Sequence, residues 1–404
     1  MTTNRTLLAL SLSAALLAPA IARADVTVDV VGGSEITFEG LIQADGNWFH
    51  NDRADLNGTS GINGENSEFE LRRAELVLKG KGPSNIEWVV GYDAKADKFL
   101  DTNARWKFAG DAHHYLQLGQ FKQPNSLEEL TSTKHNDFIS KSTITNTYAV
   151  SRRLGAAYSV GTPDWSLTGS LFGRELTRHL ASGDGYAVRG TFAPINTSGK
   201  VLHLGANLAE YEADANILRL RARPNADLAT LRLVDTGEMR DVDTLRTIGT
   251  EVLYLQGPLK LQGEYVTARI KRFAHPDHDS HGFYASAAWN LTGEPWAYKA
   301  GVPSTRLPDQ PARGMWQLAA RYDRIDLDDG RMLPPTVADS APIVDGVFGG
   351  DMATWTLGVN WFWRSNVRAA LNYVKVDSER YSHAAQAFLE DNPSIMEARL
   401  QFYW

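Results

Sequence analysis

The chain alternates apolar and polar residues over segments of about 10 residues, again and again, with turn residues between them. In the first segment Ile36, Phe38, Gly40, Ile42, Ala44, Gly46 and Trp48 share one face. Glu35, Thr37, Glu39, Gln43, Asp45 and Asn47 share the other, with Leu41 as the one exception. Further on, Ile86, Trp88, Val90 and Tyr92 oppose Glu87 and Asp93, and Leu202, Leu204, Ala206 and Leu208 oppose His203 and Asn207. Trp355, Leu357, Val359, Trp361 and Trp363 oppose Thr354, Thr356 and Asn360. A period of two is that of a β-strand whose faces meet different surroundings. The last nine residues follow the same rule: Met396, Ala398, Leu400, Phe402 and Trp404 alternate with Glu397, Arg399, Gln401 and Tyr403.

Two all-β architectures fit this pattern, a large soluble protein and a transmembrane barrel. Trp and Tyr recur near segment ends, where the aromatic girdles of a membrane barrel sit. The mean hydropathy is only −0.31. A protein with a wet interior needs fewer apolar residues than one with a filled core. The pattern therefore predicts a transmembrane antiparallel β-barrel, apolar side outward and polar side inward. Seventeen segments qualify. The weakest, Asn216 to Pro224, is short and carries three arginines. Assigning it to a loop leaves about 16 strands, enough to enclose an aqueous channel.

With the amino terminus on the periplasmic side, the long connectors fall outside the cell: His50–Ser67, Gln123–Tyr148, Ala213–Thr244, Asp329–Met352 and Asp377–Pro393. Most inner turns are tight, as at Gly80–Ser84, Gly161–Asp164, Gln256–Pro258 and Arg364–Asn366. Thr292–Arg313 is long yet falls on the inner side, and the pattern offers no reason for it.

Residues 1–24 read as a cleavable signal peptide: Arg5, an apolar run from Leu7 to Ala22, and the small-x-small motif Ala22-Arg23-Ala24. Residues 25–404 then form one barrel domain. Removing Arg5 and Arg23 leaves 39 basic against 48 acidic residues, a formal charge of −9. Such a chain is an unlikely partner for nucleic acid. It has no cysteine, in keeping with an exported protein that does without disulfides. No Gly-rich phosphate loop or GxSxG elbow is present, so no enzyme motif and no cofactor is expected. His275, His278 and His281 with Asp277 and Asp279 form a histidine-rich loop tip. Spacing alone suits a metal, but no strand fixes the geometry there, and no metal site is expected.

Several motifs in order resemble the phosphate-selective porins O and P: Phe69–Leu78 (FELRRAELVL), Gly119–Ser132 (GQFKQPNSLEELTS), Val201–Gly205 (VLHLG), Asn290–Tyr298 (NLTGEPWAY) and Gly358–Val374 (GVNWFWRSNVRAALNYV). The closing strand completes the set. The resemblance implies a homotrimeric 16-stranded barrel in the outer membrane, set among lipopolysaccharide and lipid. It implies passage of phosphate or polyphosphate, with loop three, here Gln123–Tyr148, folded into the lumen.

The same resemblance suggests which cations line the pore. Arg219, Arg221 and Arg223 correspond to an arginine ladder. In extended backbone they point one way, about 6–7 Å apart. The plainer reading is a solvated loop edge or a grip on lipopolysaccharide phosphates. Arg72 and Arg73 match a pair on the second strand, where alternation puts Arg73 inside and Arg72 near a rim. Arg368 opposes Val367, Ala369 and Leu371 and should face inward. Asp101 and Ser132 fall where polar groups approach the constriction, and Lys122, Lys134 and Lys141 join them. Four residues depart from the phosphate-selective pattern. Leu41 stands for an expected arginine, Glu87 for a lysine, and Glu128-Glu129 bring two carboxylates into loop three, the second at an expected lysine. Carboxylates at a constriction favour cations, so a general or weakly cation-preferring diffusion pore is the main rival reading. A barrel enzyme and a plugged structural barrel are remoter ones.

Overall fold

The computed structural model describes residues 26–30, 34–58, 66–177, 181–333 and 343–404; the expected signal peptide lies outside them. Sixteen strands pair antiparallel with their neighbours: β1 Ser34–His50, β2 Ser67–Lys81, β3 Ile86–Asp93, β4 Lys98–Lys107, β5 Tyr115–Lys122, β6 Arg152–Gly161, β7 Trp165–Phe172 and β8 Gly185–Thr197, then β9 Lys200–Glu212, β10 Val242–Gln256, β11 Leu259–Arg272, β12 His278–Asn290, β13 Met315–Leu333, β14 Ile343–Trp363, β15 Val367–Ser382 and β16 Ser394–Tyr403. The ring closes where β1 pairs with β16, from Leu41 opposite Tyr403 to His50 opposite Ser394. Closure gives each of the sixteen strands a partner on both sides, so the backbone groups of the wall are paired within it. Val26–Val30 pairs with the start of β1, and Ala387–Asp391 pairs with the end of β15, as short extensions of the wall.

The two faces of the wall differ as the alternation predicts. Leu118, Leu171, Phe192, Trp289, Trp355 and Leu357 are exposed on the outside. Gln43, Asn47, Gln317, Asn360, Asn372 and Gln401 are buried on the inside. Several inner amides bond from strand to strand: Gln43 to Gln401 at 2.6 Å, Gln317 to Asn290 at 3.0 Å and Asn360 to Gln317 at 2.7 Å. Leu41, the apolar residue on the polar face, is buried at 1% exposure. Outside, Phe283, Tyr322 and Trp355 form a run of ring contacts, and Trp316, Trp361 and Trp363 form another. At the seam Trp404 packs beside Phe38 and Phe402. A Cβ on Gly40 would come within 2.1 Å of the Trp404 ring, so only glycine fits there.

Three connectors pack against buried side chains of the wall strands. Loop three follows β5, as the strand count expects. It holds two short helices, α1 Leu127–Leu130 and α2 Thr143–Tyr148, capped by the hydroxyls of Ser126 and Ser142. Loop five, 213–241, contains the weakest sequence segment. Arg221–Ala222 pairs there with Val234–Asp235, and Leu218 bridges Met239; these partners lie within the loop itself, so the segment is no barrel strand. Leu220, Ala222, Leu228 and Val234 pack instead against Phe49, Ile144, Tyr148, Val266 and Ile325.

The third is the inner connector whose length the pattern did not account for. Ala297–Lys299 and Val302–Ser304 form a hairpin. The Tyr298 hydroxyl lies 2.8 Å from Nδ1 of His203, and Arg189 donates to the Gly301 carbonyl at 3.0 Å. His203 and Arg189 are held in turn by Glu251, at 2.9 and 2.6 Å. Trp296 packs with Leu253, Leu255 and Ala288 and with loop-three residues Leu127 and Phe138. The extra residues thus pack inward over β8 to β12.

Candidate ion path

Loop three is bonded to buried side chains of six neighbouring strands. Glu264 on β11 accepts from the backbone N–H of Leu127 and of Glu128, at 2.9 and 2.8 Å. Tyr148 bonds Ser280 on β12 at 2.9 Å, and Thr143 bonds Asp323 on β13 at 2.6 Å. Asn360 on β14 donates to the Asp137 carbonyl at 2.8 Å. Asn372 on β15 accepts from Ile139 at 2.8 Å, and Arg399 on β16 donates to its carbonyl at 2.9 Å. Loop three is therefore tied to β11–β16, and three cavities lie toward the wall formed by the remaining strands.

A cavity of about 290 Å³ lies between that wall, loop three and loop five. Ten basic residues line it: Arg72, Arg73, Lys98, Lys122, Lys141, Arg152, Arg221, Arg223, Arg232 and Arg399. Two carboxylates, Glu129 and Asp227, stand among them. At such an excess the local potential is strongly positive and concentrates anions. Crowding is visible in Arg232, whose guanidinium is pushed down to about 10 by burial and by the neighbouring Arg223 and Arg221.

Each strand or loop delivers its cation for a local reason. The register between β1 and β2 slips at Gln43/Ala44: Gln43 faces Arg73 while Ala44 faces Leu71. Arg72 is the extra residue of this β-bulge, and a bulge re-aims its side chain. Arg72 therefore joins Arg73 at the cavity instead of standing at a rim, which corrects the alternation. It is bound to Asp227 of loop five, Nη2 to Oδ2 at 3.0 Å and Nε at 3.2 Å. Burial raises the Asp227 carboxyl, but the charges of Arg72, Arg399 and Arg73 outweigh it and hold the group at about 2.

Loop five splits the three alternating arginines. Leu220 and Ala222 are buried in the apolar cluster, so Arg219, Arg221 and Arg223 leave it on the other side. Arg221 and Arg223 reach the cavity. Arg219 does not; it is exposed and grips Asp235, Nε to Oδ1 at 2.6 Å.

Lys122 lies at the end of β5, lines the cationic cavity and a second one behind it, and donates to the carbonyls of Glu129 and Thr131. Asp101 is paired with Arg152 at 2.9 Å and borders a third cavity of about 410 Å³ along β1 to β5. Ser132 precedes the 3-10 turn Thr133–His135 and is not among the residues lining the cationic cavity. Lys134 is tied to Glu39 at 3.2 Å, and Arg368 is buried against Asn360 at 2.8 Å and the Phe362 ring at 5.2 Å. Both lie outside the cationic cavity. Four basic residues of this cavity escaped the sequence reading: Lys98, Arg152, Arg232 and Arg399. Arg399 had a signal, because it opposes the outward Ala398 and Leu400.

The carboxylates that depart from the phosphate-selective pattern are each engaged. Glu129 pairs with Lys141 and lies 3.7 Å from Lys122. Burial raises its carboxyl, yet Lys141 and Lys122 bring it down to about 2. Glu128 accepts from Ser142 at 2.7 Å and pairs with Arg321 at 3.2 Å. Glu87 pairs with Lys107 at 2.6 Å. In the histidine-rich loop tip, His275 bonds Asp241 at 2.7 Å and Arg269 holds Asp279 at 2.7 Å.

The model of the family described as "Phosphate-selective porin O and P" matches residues 42–404. The chain belongs to this family. Among its relatives, Porin O of Pseudomonas aeruginosa is 26% identical over 436 residues, covering 93% of each chain. Among solved structures the fold resembles OmpT of Vibrio cholerae, with a TM-score of 0.57, 10% identity and coverage of 94% of this chain and all of that one. A trimer form of that protein gives 0.55 at 10% identity, covering 92% and 99%. An anion-selective porin from Comamonas acidovorans gives 0.52 at 11% identity, covering 92% of this chain and all of the other. The protein is an outer-membrane porin, a channel of the Gram-negative cell surface.

Proposed function

We propose that this porin passes phosphate and short polyphosphates passively into the periplasm, as a homotrimer, with loop three as the constriction in its lumen. The observation that carries the anion preference is the cavity lined by ten basic and two acidic residues. Arginine suits phosphate because its planar fork donates two hydrogen bonds to two oxygens. A conducting path must also release its ion, so several moderate sites serve better than one deep one. Arg72, Arg73, Arg221 and Arg223 supply such sites ahead of Lys122.

The family name and the relation to Porin O support phosphate as the permeant. The trimer form of OmpT supports the assembly. The bonds from loop three to β11–β16 support its place as the constriction, since those strands offer it only their inner-face side chains. The acidic departures do not turn the pore toward cations on this reading, because Glu87, Glu128 and Glu129 each carry a basic partner.

Planar-bilayer recording tests the proposal. Reversal potentials in a chloride gradient should indicate anion preference, and added phosphate, then pyrophosphate, should block the chloride current at low concentration. A cation-directed reversal potential would refute it.

A further inference from the structure

Behind Lys122 lies a second cavity, of about 280 Å³. The inner faces of β4 to β8 form its wall. Loop three borders it through Pro124 and Leu130, and the 297–304 hairpin through Tyr298 and Val302. The chemistry of this chamber differs from that of the cationic cavity.

No Asp or Glu lines it, whereas Lys122, Arg105 and Arg189 do, the last already paired with Glu251 at 2.6 Å. Arg105 stacks on the Tyr115 ring at 4.8 Å and is exposed. Its wall is also rich in hydroxyls. Ser159 lies 2.9 Å from Thr168, and Ser166 lies 2.7 Å from Thr191. In each pair one proton is shared, which leaves the second proton and several lone pairs free for a ligand. The chamber has room for roughly nine waters at about 30 Å³ each, well beyond the five heavy atoms of inorganic phosphate. Alternate cation and hydroxyl positions on a concave wall suit a ligand with one anionic end and a hydroxylated body.

We propose that this inner chamber is a binding site for phosphorylated polyols of sugar size. The phosphate group is held by Arg105, whose ring partner Tyr115 stands opposite Ser159, and the hydroxyls of the body exchange bonds with the Ser159–Thr168 and Ser166–Thr191 pairs. The inference rests on the anion-porin reading and adds a permeant class that the cationic cavity alone does not select. Arginine gives the phosphoryl oxygens paired donors, while the hydroxyl rows distinguish a sugar phosphate from the bare ion.

The test is block of chloride current through the full-length porin in planar bilayers by inorganic phosphate, glucose 6-phosphate and glucose. Glucose 6-phosphate should block at lower concentration than phosphate, and glucose should not block. Arg105→Gln should raise the half-blocking concentration of glucose 6-phosphate about tenfold, as expected for one lost charge-assisted bond. Thr168→Val keeps the side-chain shape, and it should weaken glucose 6-phosphate more than phosphate. Variants are compared as folded barrels, judged by heat-modifiable migration on gels. An anion-selective pore blocked by phosphate but no more tightly by glucose 6-phosphate would overturn this inference alone. So would equal losses for both anions in Thr168→Val, or block by glucose. Cation selectivity of the unmodified porin would overturn the anion reading beneath it.

Discussion

Arg72 of the second strand and Asp227 of loop five form a two-pronged ion pair, at 3.0 and 3.2 Å, that ties the loop to the opposite wall of the cationic cavity. The pair spends one arginine and one carboxylate inside a site that otherwise attracts anions. Asp227→Asn should release Arg72 and raise the net charge there by one. The reversal potential in a chloride gradient should move further toward anions, and phosphate block should tighten. An unchanged reversal potential would mean that loop five does not border the ion path.

The same pair sets an acid limit. The folded-state value of Asp227 is about 2, below the roughly 3.9 of an unperturbed aspartate. A depressed carboxyl contributes stability above its unfolded value and loses it as pH falls through the folded one. Loop five, with Leu228, Leu231 and Leu233 beside the pair, should resist pepsin near pH 4 and become cleavable as the pH approaches 2. Cleavage of the native porin at pH 4 would contradict this.

Loop five separates Arg219 from the other two arginines, and selectivity measurements can see the difference. Arg221→Gln with Arg223→Gln should shift the reversal potential toward cations and weaken phosphate block. Arg219→Gln should leave both near the unmodified values. The double variant's shift should shrink from 0.1 M to 1 M salt, as the screening length falls from about 10 Å to about 3 Å. Equal effects of Arg219 and Arg221 would place the whole segment on one surface.

Glu129 holds Lys122 and Lys141 in loop three. Glu129→Gln removes the countercharge beside both ammonium groups, and Glu129→Lys adds a further charge. Phosphate block should strengthen in that order, since charge counts most where water is scarce. Indifference to both changes would remove loop three from the narrow part of the pore.

At the seam, Gly40→Val collides with the Trp404 ring, and deletion of Trp404 removes its packing against Phe38 and Phe402. Both should lower the amount of folded, heat-modifiable porin in the outer membrane far more than the conductance of the channels that do assemble. Normal surface levels would show the seam to be dispensable.

The wall was readable because a strand in a bilayer is selected at every second residue, so each segment repeats the same signal. The sixteen strands and the position of loop three after the fifth of them follow from that period. What the period cannot carry is a local break in it. The bulge at Arg72 inserts one residue and turns a rim side chain inward, with no mark in the residue types. Loop five has no lipid face, so Arg219 and Arg221 look alike until Asp235 claims the first of them. Arg399 was readable from its outward neighbours, whereas Arg152 and Lys98 sit at strand starts, where alternation is only beginning. The long inner connector shows only its length in sequence, because Trp296 and Tyr298 are placed by distant partners, His203 and Leu253 among them.

The Gly40–Trp404 contact also bears on how the molecule is made. The residues that close the ring are separated by nearly the whole chain, so their meeting is the pairing with the highest loop-closure cost and the slowest to be found unaided. Until it forms, β1 and β16 both present unpaired edges, the state most open to mispairing with another chain. A porin with this seam is thus committed at its last step, and the kinetic help it needs is help in bringing two ends together.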